Sequence, residues 1–444
     1  MAQESIPLQE IHLTEETVDP REQRLGRAAA VLRWGAIANG VIVGLILVLA
    51  LLGGSGAFSN LFPTLHQLLL GRTTGADDAA VAGVALLVQL NISALLVLMV
   101  GVVAREIWGM IGAWLLVLVN LAGVLALGFT PGLVTIVASF WAGLVVGRDL
   151  RAFRLNPVML KELRGRMRGA RAFVVLTVYL GLMSGFTALL YLAYTPASRA
   201  TGSAAAGEVG RVLFMGIVGI ELMLIIFIAP AFTAGAITGE RERQTYDLLQ
   251  TTLLSGPSFV IGKLESALAY VLLLLFAAIP LQSIAFLFGG VTELEIIISF
   301  VILTVTGIAL GTVGIFFSAV ANRTLAASVR TYTTTLVATF AAPLVITIVV
   351  NILTGGFRTA SPVIEALLTY IDDLMVSLNP IATALTTQSL LINQQEVGFW
   401  AHTLASDGST IPRISPWISF SIIYLVVAAV LVVLAIRRMH RIEE

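Results

Sequence analysis

Few side chains in this chain are suited to chemistry, and their positions say which chemistry to consider. The carboxylate of Glu221 lies inside the apolar stretch GIVGIELMLIIF. A charge at mid-bilayer costs about 2.5–3.5 kcal/mol on insertion scales, so Glu221 is expected to be protonated or paired, facing protein or a watery cavity. Two roles fit it: a contact in a translocation path, or a hydrogen bond that ties helices together. The four histidines, His12, His66, His402 and His440, fall outside the apolar runs. Neither an H-E-x-x-H pattern nor paired intramembrane aspartates is there to hold a metal, and no run gives a buried serine a His or Lys base. With no cysteine, disulfides, thiol nucleophiles and thiolate metal sites are excluded together. The chain does not read as an enzyme.

A nucleotide engine is missing as well. A phosphate-binding loop needs G-x-x-x-x-G-K-[ST], whose backbone N–H groups and lysine cradle phosphate while the hydroxyl holds Mg²⁺. The nearest approach ends in Gly262-Lys263, but Pro257 stands at the first glycine position and Leu264 at the hydroxyl position. Leu254-Ser255-Gly256 has a faint likeness to an ATPase signature only.

The elements that would position these residues follow from composition. The chain is 58% hydrophobic and 12% charged, with a mean hydropathy of +0.96. That is too little polar surface to cover a water-soluble globule. A helix needs about 20 mostly apolar residues to span a bilayer. The template fits about ten times, over roughly 34–53, 80–103, 107–128, 131–147, 173–193, 212–237, 267–288, 296–320, 332–353 and 418–436. The sequence predicts an all-α, polytopic membrane protein. Its first run is expected to stay in the mature chain, being long enough to span and preceded by a polar tail.

Basic residues set the expected orientation. All Lys and Arg except Arg72, Arg199, Arg211, Arg358 and Arg413 lie in the two tails or in 104–106, 148–172, 238–266 and 321–331. By the positive-inside rule those segments and both termini are cytoplasmic, in a plasma (inner) membrane. The densest basic segment separates a four-span unit, 1–147, from a six-span unit, 148–444.

That segment predicts a helix lying on the membrane surface over 156–171. Asn156 suits the N-cap and Pro157 the first helical position. Lys161, Arg164, Arg168 and Arg171 then share a face beside an apolar stripe of Leu160, Leu163 and Met167, which is the pattern of an interfacial anchor. The same charges also serve the simpler task of fixing topology. A second amphipathic stretch, GERERQTYDLLQTTLLS, interrupts the apolar runs at 239–255. Tyr246, Leu249 and Leu253 fall on one helical face, Glu240 and Glu242 sit where a helix dipole favours carboxylates, and Gly256-Pro257 supplies a stop. Gln89, Asn91, Asn120, Gln282 and Asn351 suit interhelical hydrogen bonds. Gly307, Gly311 and Gly314 form a small-residue face for internal packing or for contact with another membrane subunit. Pro230, Pro280 and Pro343 predict bends.

At 239–263 the sequence resembles the exporter-type (type-2) permeases of ATP-binding-cassette (ABC) transporters. The matching positions are Glu240, Arg241, Glu242, Arg243, Thr245, Asp247, Leu248, Leu249, Thr252, Leu254, Ser255, Gly262 and Lys263; Gln244 stands where the family has Gly, and Leu253 where it has Pro. The resemblance covers 148–444 and implies a connecting helix (156–171), six spans, a coupling helix (240–255), and short membrane-dipping helices within the extracytoplasmic segment 354–417. There Ile364, Leu367, Ile371, Leu374 and Leu378 keep one apolar face, and Asn379-Pro380 opens a second helix.

The resemblance further implies a permease without its own engine, dimerising as a homodimer or heterodimer and driven by a separate ABC ATPase subunit that binds ATP and Mg²⁺. Tyr246, Leu248 and Leu249 are the expected docking knob, and Glu240 and Asp247 the polar contacts to the ATPase. The bilayer is the other expected partner, and nucleic acid is not one. A gradient-driven carrier or channel centred on Glu221, or a membrane scaffold, is the competing reading. The four N-terminal spans lie outside the resemblance and carry no assigned role.

Overall fold

The computed structural model describes residues 20–61, 78–148, 156–167, 170–198, 204–245, 256–341, 343–345, 348, 362–393, 397–404, 408 and 410–443. Four helices make the first unit: α1 (Pro20–Leu61), α2 (Asp78–Val103), α3 (Ile107–Leu127) and α4 (Gly132–Gly147). Then follow α5 (Pro157–Met167), α6 (Ala170–Ser198), α7 (Ala204–Thr233), the single turn α8 (Thr238–Glu242), α9 (Gly256–Leu287), α10 (Glu293–Val320) and α11 (Thr324–Leu336), which runs into a π-helical turn, Val337–Ala341. The chain ends with α12 (Pro362–Ser377), α13 (Pro380–Asn393), an antiparallel hairpin of β1 (Phe399–Thr403) and β2 (Thr410–Ile414), and α14 (Pro416–Glu443).

The protein is an all-α, multi-pass membrane protein, with that small hairpin among the described residues. Seven described helices are long and apolar enough to cross a membrane, or eight if α12 and α13, bent by 116° at their junction, count as one span. Leu87–Val103 and Gly132–Gly147 are apolar but shorter, and the expected run 332–353 is described only in part.

Two elements differ from expectation. The span expected from 267 starts earlier, because Gly256-Pro257, read as a stop for the stretch before it, opens α9. Proline lacks an N–H, which the first turn of a helix leaves unpaired anyway, so the same dipeptide serves as a start. The hairpin 399–414 was expected to be helical loop; Pro412 sits on its second strand.

Side-chain amides pin the four-span unit inside its apolar core of Ala28, Leu32, Leu95, Ala113, Ala138 and Val146. Asn91 and Asn120 exchange amide hydrogen bonds of 2.7 and 3.0 Å between α2 and α3. Asn39 on α1 donates to Thr135 on α4 at 3.2 Å. Buried amides in apolar surroundings pair because an unpaired one is costly.

The boundary at 147/148 is not a boundary in the core. Val100 of α2 and Ala104 just beyond it belong to one apolar cluster with Val158, Ile237, Val260, Ile261, Ile315, Ala435, Ile436 and Met439. Through it α14 packs against both α2 and α10. The glycine face of α10 is spent inside the chain: a Cβ on Gly314 would lie 2.0 Å from Thr233 Oγ1, and one on Gly307 3.3 Å from Val271.

Candidate functional site

At the basic end of the bundle, α7 ends three residues after Pro230, and the chain turns through 234–237 into α8. Ser318 on α10 accepts the backbone N–H groups of Ile237 and Thr238 at 2.9 and 3.1 Å, so the turn is fixed before the charged run begins. Each of the next three charged side chains then reaches a different element. Glu240 meets Lys263 of α9 at 2.6 Å, and Lys263 meets Glu162 of α5, also at 2.6 Å. Arg241 donates to the carbonyl of Ala321 at 3.0 Å, just beyond α10. Glu242 accepts the N–H and hydroxyl of Thr324 at 2.7 and 2.8 Å, at the start of α11.

The side chain of Lys263 is 5% exposed, against 23% and 19% for Glu162 and Glu240. It is a buried ammonium between two half-buried carboxylates, stacked near the Phe259 ring. Charge-assisted hydrogen bonds of this length, partly shielded from water, are the strong ones. Lys263 is therefore the centre of a polar node joining α5, α8 and α9.

Helix α8 closes sharply. Thr245 N–H bonds to Glu240 C=O and Gln244 N–H to Arg241 C=O, both at 3.0 Å, with Gln244 at φ 56°. This is the Schellman closure, whose left-handed residue is usually glycine. It overturns the expectation of a continuous helix over 240–255. The helix ends at Glu242, and Tyr246, Asp247, Leu248, Leu249 and Leu253 lie outside the described residues. Glu240, expected to face an ATPase, is turned inward to Lys263 and Thr245. Arg243 is exposed.

The helix expected over 156–171 starts where its cap predicts and is described as far as Met167, and Arg171 falls in the next helix, α6. Asn156 Oδ1 accepts the N–H groups of Val158 and Met159 at 2.9 and 3.4 Å. On α5, Lys161 and Arg164 are exposed, as are Leu160 and Met167. Arg168 and the side chain of Arg171 lie outside the described residues. Arg166 turns back instead, donating to the Phe232 carbonyl at 3.3 Å at the end of α7.

Glu221 is fully buried, and both its oxygens are engaged. Tyr179 OH on α6 donates to one at 3.3 Å, and Gln282 Nε2 on α9 to the other at 2.7 Å. The arrangement ties three helices. Glu221 does not line the cavity of ≈ 420 Å³ between α6, α7, α10 and α13, whose wall includes Phe186, Phe214, Met223, Ser299, Leu385 and Gln388.

Sequence reading missed several members of the node. Lys263 was noted only for its place in a motif, and Glu162, Ser318 and Thr324 carried no signal. Also missed was a polar contact between the units at the turn from α2 to α3. Glu106, 2% exposed, accepts from Asn156 Nδ2 at 2.6 Å. Trp108 Nε1 donates to Glu265 on α9 at 2.7 Å. Burial, and then the charge of Glu265, push the Glu106 carboxyl up to about 7, while the Asn156 hydrogen bond pulls the other way.

No protein-family model matches the chain, and no curated protein matches it.

Proposed function

We propose that the chain is the permease subunit of an ABC transporter, moving its substrate outward across the inner membrane on ATP hydrolysed by a separate ATPase subunit. The observation that carries this reading is the Lys263 node. A permease driven from outside needs a stiff junction where the motor's push enters, and the ions at Lys263 join the surface helix α5, the turn α8 and the long helix α9 at one point. In this mechanism the segment 245–255, hung from that junction, docks on the ATPase, with Leu249 as its apolar knob. Closure of the ATPase dimer around ATP, which binds that state more tightly, biases the spans of two permease copies toward opening. Both termini and the node are on the cytoplasmic side.

A gradient-driven carrier has less support, because Glu221 is spent on Tyr179 and Gln282. The test is a mild-detergent pull-down of the tagged protein from its host, with Leu249→Asp in parallel. The reading expects a nucleotide-binding protein with the wild type and its loss from the variant. No such protein even after crosslinking would overturn the reading.

A further inference from the structure

The four-span unit meets the helices of the node at the apolar cluster of Val100 and Ala104 and, next to it, at a short polar elbow whose chemistry is unusual. Helix α2 ends in a second Schellman closure: Glu106 N–H bonds to Gly101 C=O at 3.0 Å and Arg105 N–H to Val102 C=O at 3.1 Å, with Arg105 at φ 60°. The turn delivers Glu106 and Trp108 into the gap between α5 and α9. Glu106 takes the Asn156 amide, which also donates to the Ser258 carbonyl at 2.6 Å, so one carboxyl group holds the cap of α5 against the first turn of α9. Trp108 holds Glu265, two residues beyond Lys263. The fit is close: a Cβ on Gly262 would lie 2.6 Å from Asn156 Oδ1.

The charge that weighs on buried Glu106 is thus another carboxylate. The cations on the elements around it are engaged or exposed. Lys263 is held by Glu162 and Glu240; Lys161 and Arg164 on α5 and Arg437 and Arg438 on α14 are exposed. Arg105, one residue before it, is half-buried and engaged, and the charge that acts on the Glu106 carboxyl is that of Glu265. Ionising Glu106 beside Glu265 sets two like charges against each other where water cannot screen them fully.

We propose that the four-span unit is a built-in regulator of the α5–α8–α9 node, gripping it through the Glu106–Trp108 elbow as a latch that is tight while Glu106 holds its proton and slack when Glu106 and Glu265 are both ionised. The ligand it senses is the proton on the node's side of the membrane. Its effect on transport rests on the permease reading; the latch itself does not.

Because the chain has no cysteine, a labelled pair is placed cleanly. Arg27→Cys on α1 and Arg164→Cys on α5, both exposed positions, carry spin labels in the full-length protein in lipid nanodiscs. The latch predicts one narrow distance distribution at roughly pH 5.5 and a broader, longer one at roughly pH 8.5, with the change centred near neutrality. Glu106→Gln keeps the hydrogen-bonding shape without the charge and should stay narrow at both. Glu265→Gln should weaken the response. Identical wild-type distributions at both pH values would overturn the proposal, as would a full response in Glu106→Gln. The readout needs no ATPase, so failure of the latch and failure of the permease reading are seen separately.

Discussion

Glu242 caps a helix that is not its own. Its carboxylate accepts both the N–H and the hydroxyl of Thr324, 82 positions further along, at 2.7 and 2.8 Å. The N-cap of α11 is Arg323, whose side chain makes no capping bond, so the anion that the helix N-terminus favours arrives from α8. Glu242→Ala is expected to raise amide hydrogen exchange in the first turn of α11 more than that of Arg323→Ala. Equal exchange in both variants would show that the cap is dispensable.

Removing Lys263 should be worse than removing all three charges. Lys263→Met leaves Glu162 and Glu240 facing each other half-buried, and breaking such a pair costs on the order of 3 kcal/mol. The triple variant Lys263→Met, Glu162→Gln, Glu240→Gln is expected to recover most of it. Thermal unfolding followed by tryptophan fluorescence ranks them, and a triple variant no better than the single one would contradict the pairing.

Gln244 holds a left-handed conformation that costs a side-chain-bearing residue roughly 1 kcal/mol. Gln244→Gly should stabilise the fold by about that much, and Gln244→Val should destabilise it by more. Both are read as shifts in the denaturation midpoint.

The amide pair of α2 and α3 lends itself to a double-mutant cycle. Asn91→Leu or Asn120→Leu alone leaves the other amide unpaired and buried, at a cost of about 0.6–1.7 kcal/mol inside a membrane protein. The double variant should cost less than the two singles together. Strict additivity would mean that the pair, close as it is, does not couple.

Glu106 gives the fold a pH dependence of defined sign. Its folded value, about 7, lies above the ordinary value of 4.5, so the folded state binds its proton more tightly than the unfolded state does. The stabilisation is complete below about 4.5, declines between there and about 7, and is absent above. Relative to Glu106→Gln, the wild-type melting temperature should fall across that window. Parallel curves would remove Glu106 as the cause.

The apolar runs were legible because length and hydropathy are properties of a continuous stretch; the amides Asn91, Asn120 and Gln282 were legible as ties, though not their partners. The Asn156-Pro157 start was read from neighbours in the chain. What stayed hidden depends on distance along the sequence. Lys263 finds Glu162 101 positions away, and nothing local marks either as a partner. Gly256-Pro257 was read for one of its two uses only, because the same dipeptide can end one helix and begin the next. Gln244 was visible only as a departure from a glycine, and its φ of 56° gives the departure its physical meaning.

The place of α14 has a consequence for how the chain is made. Its Ala435, Ile436 and Met439 join the apolar cluster that also holds Val100 and Ala104, so a helix made late fills a seam beside one made early. Before α14 is in place, Val100 and Ala104 have only the part of their cover that Val158, Val260 and Ile261 supply. A chain cut short before Pro416 would leave that seam unfilled, and the damage would be felt some three hundred residues upstream of the cut.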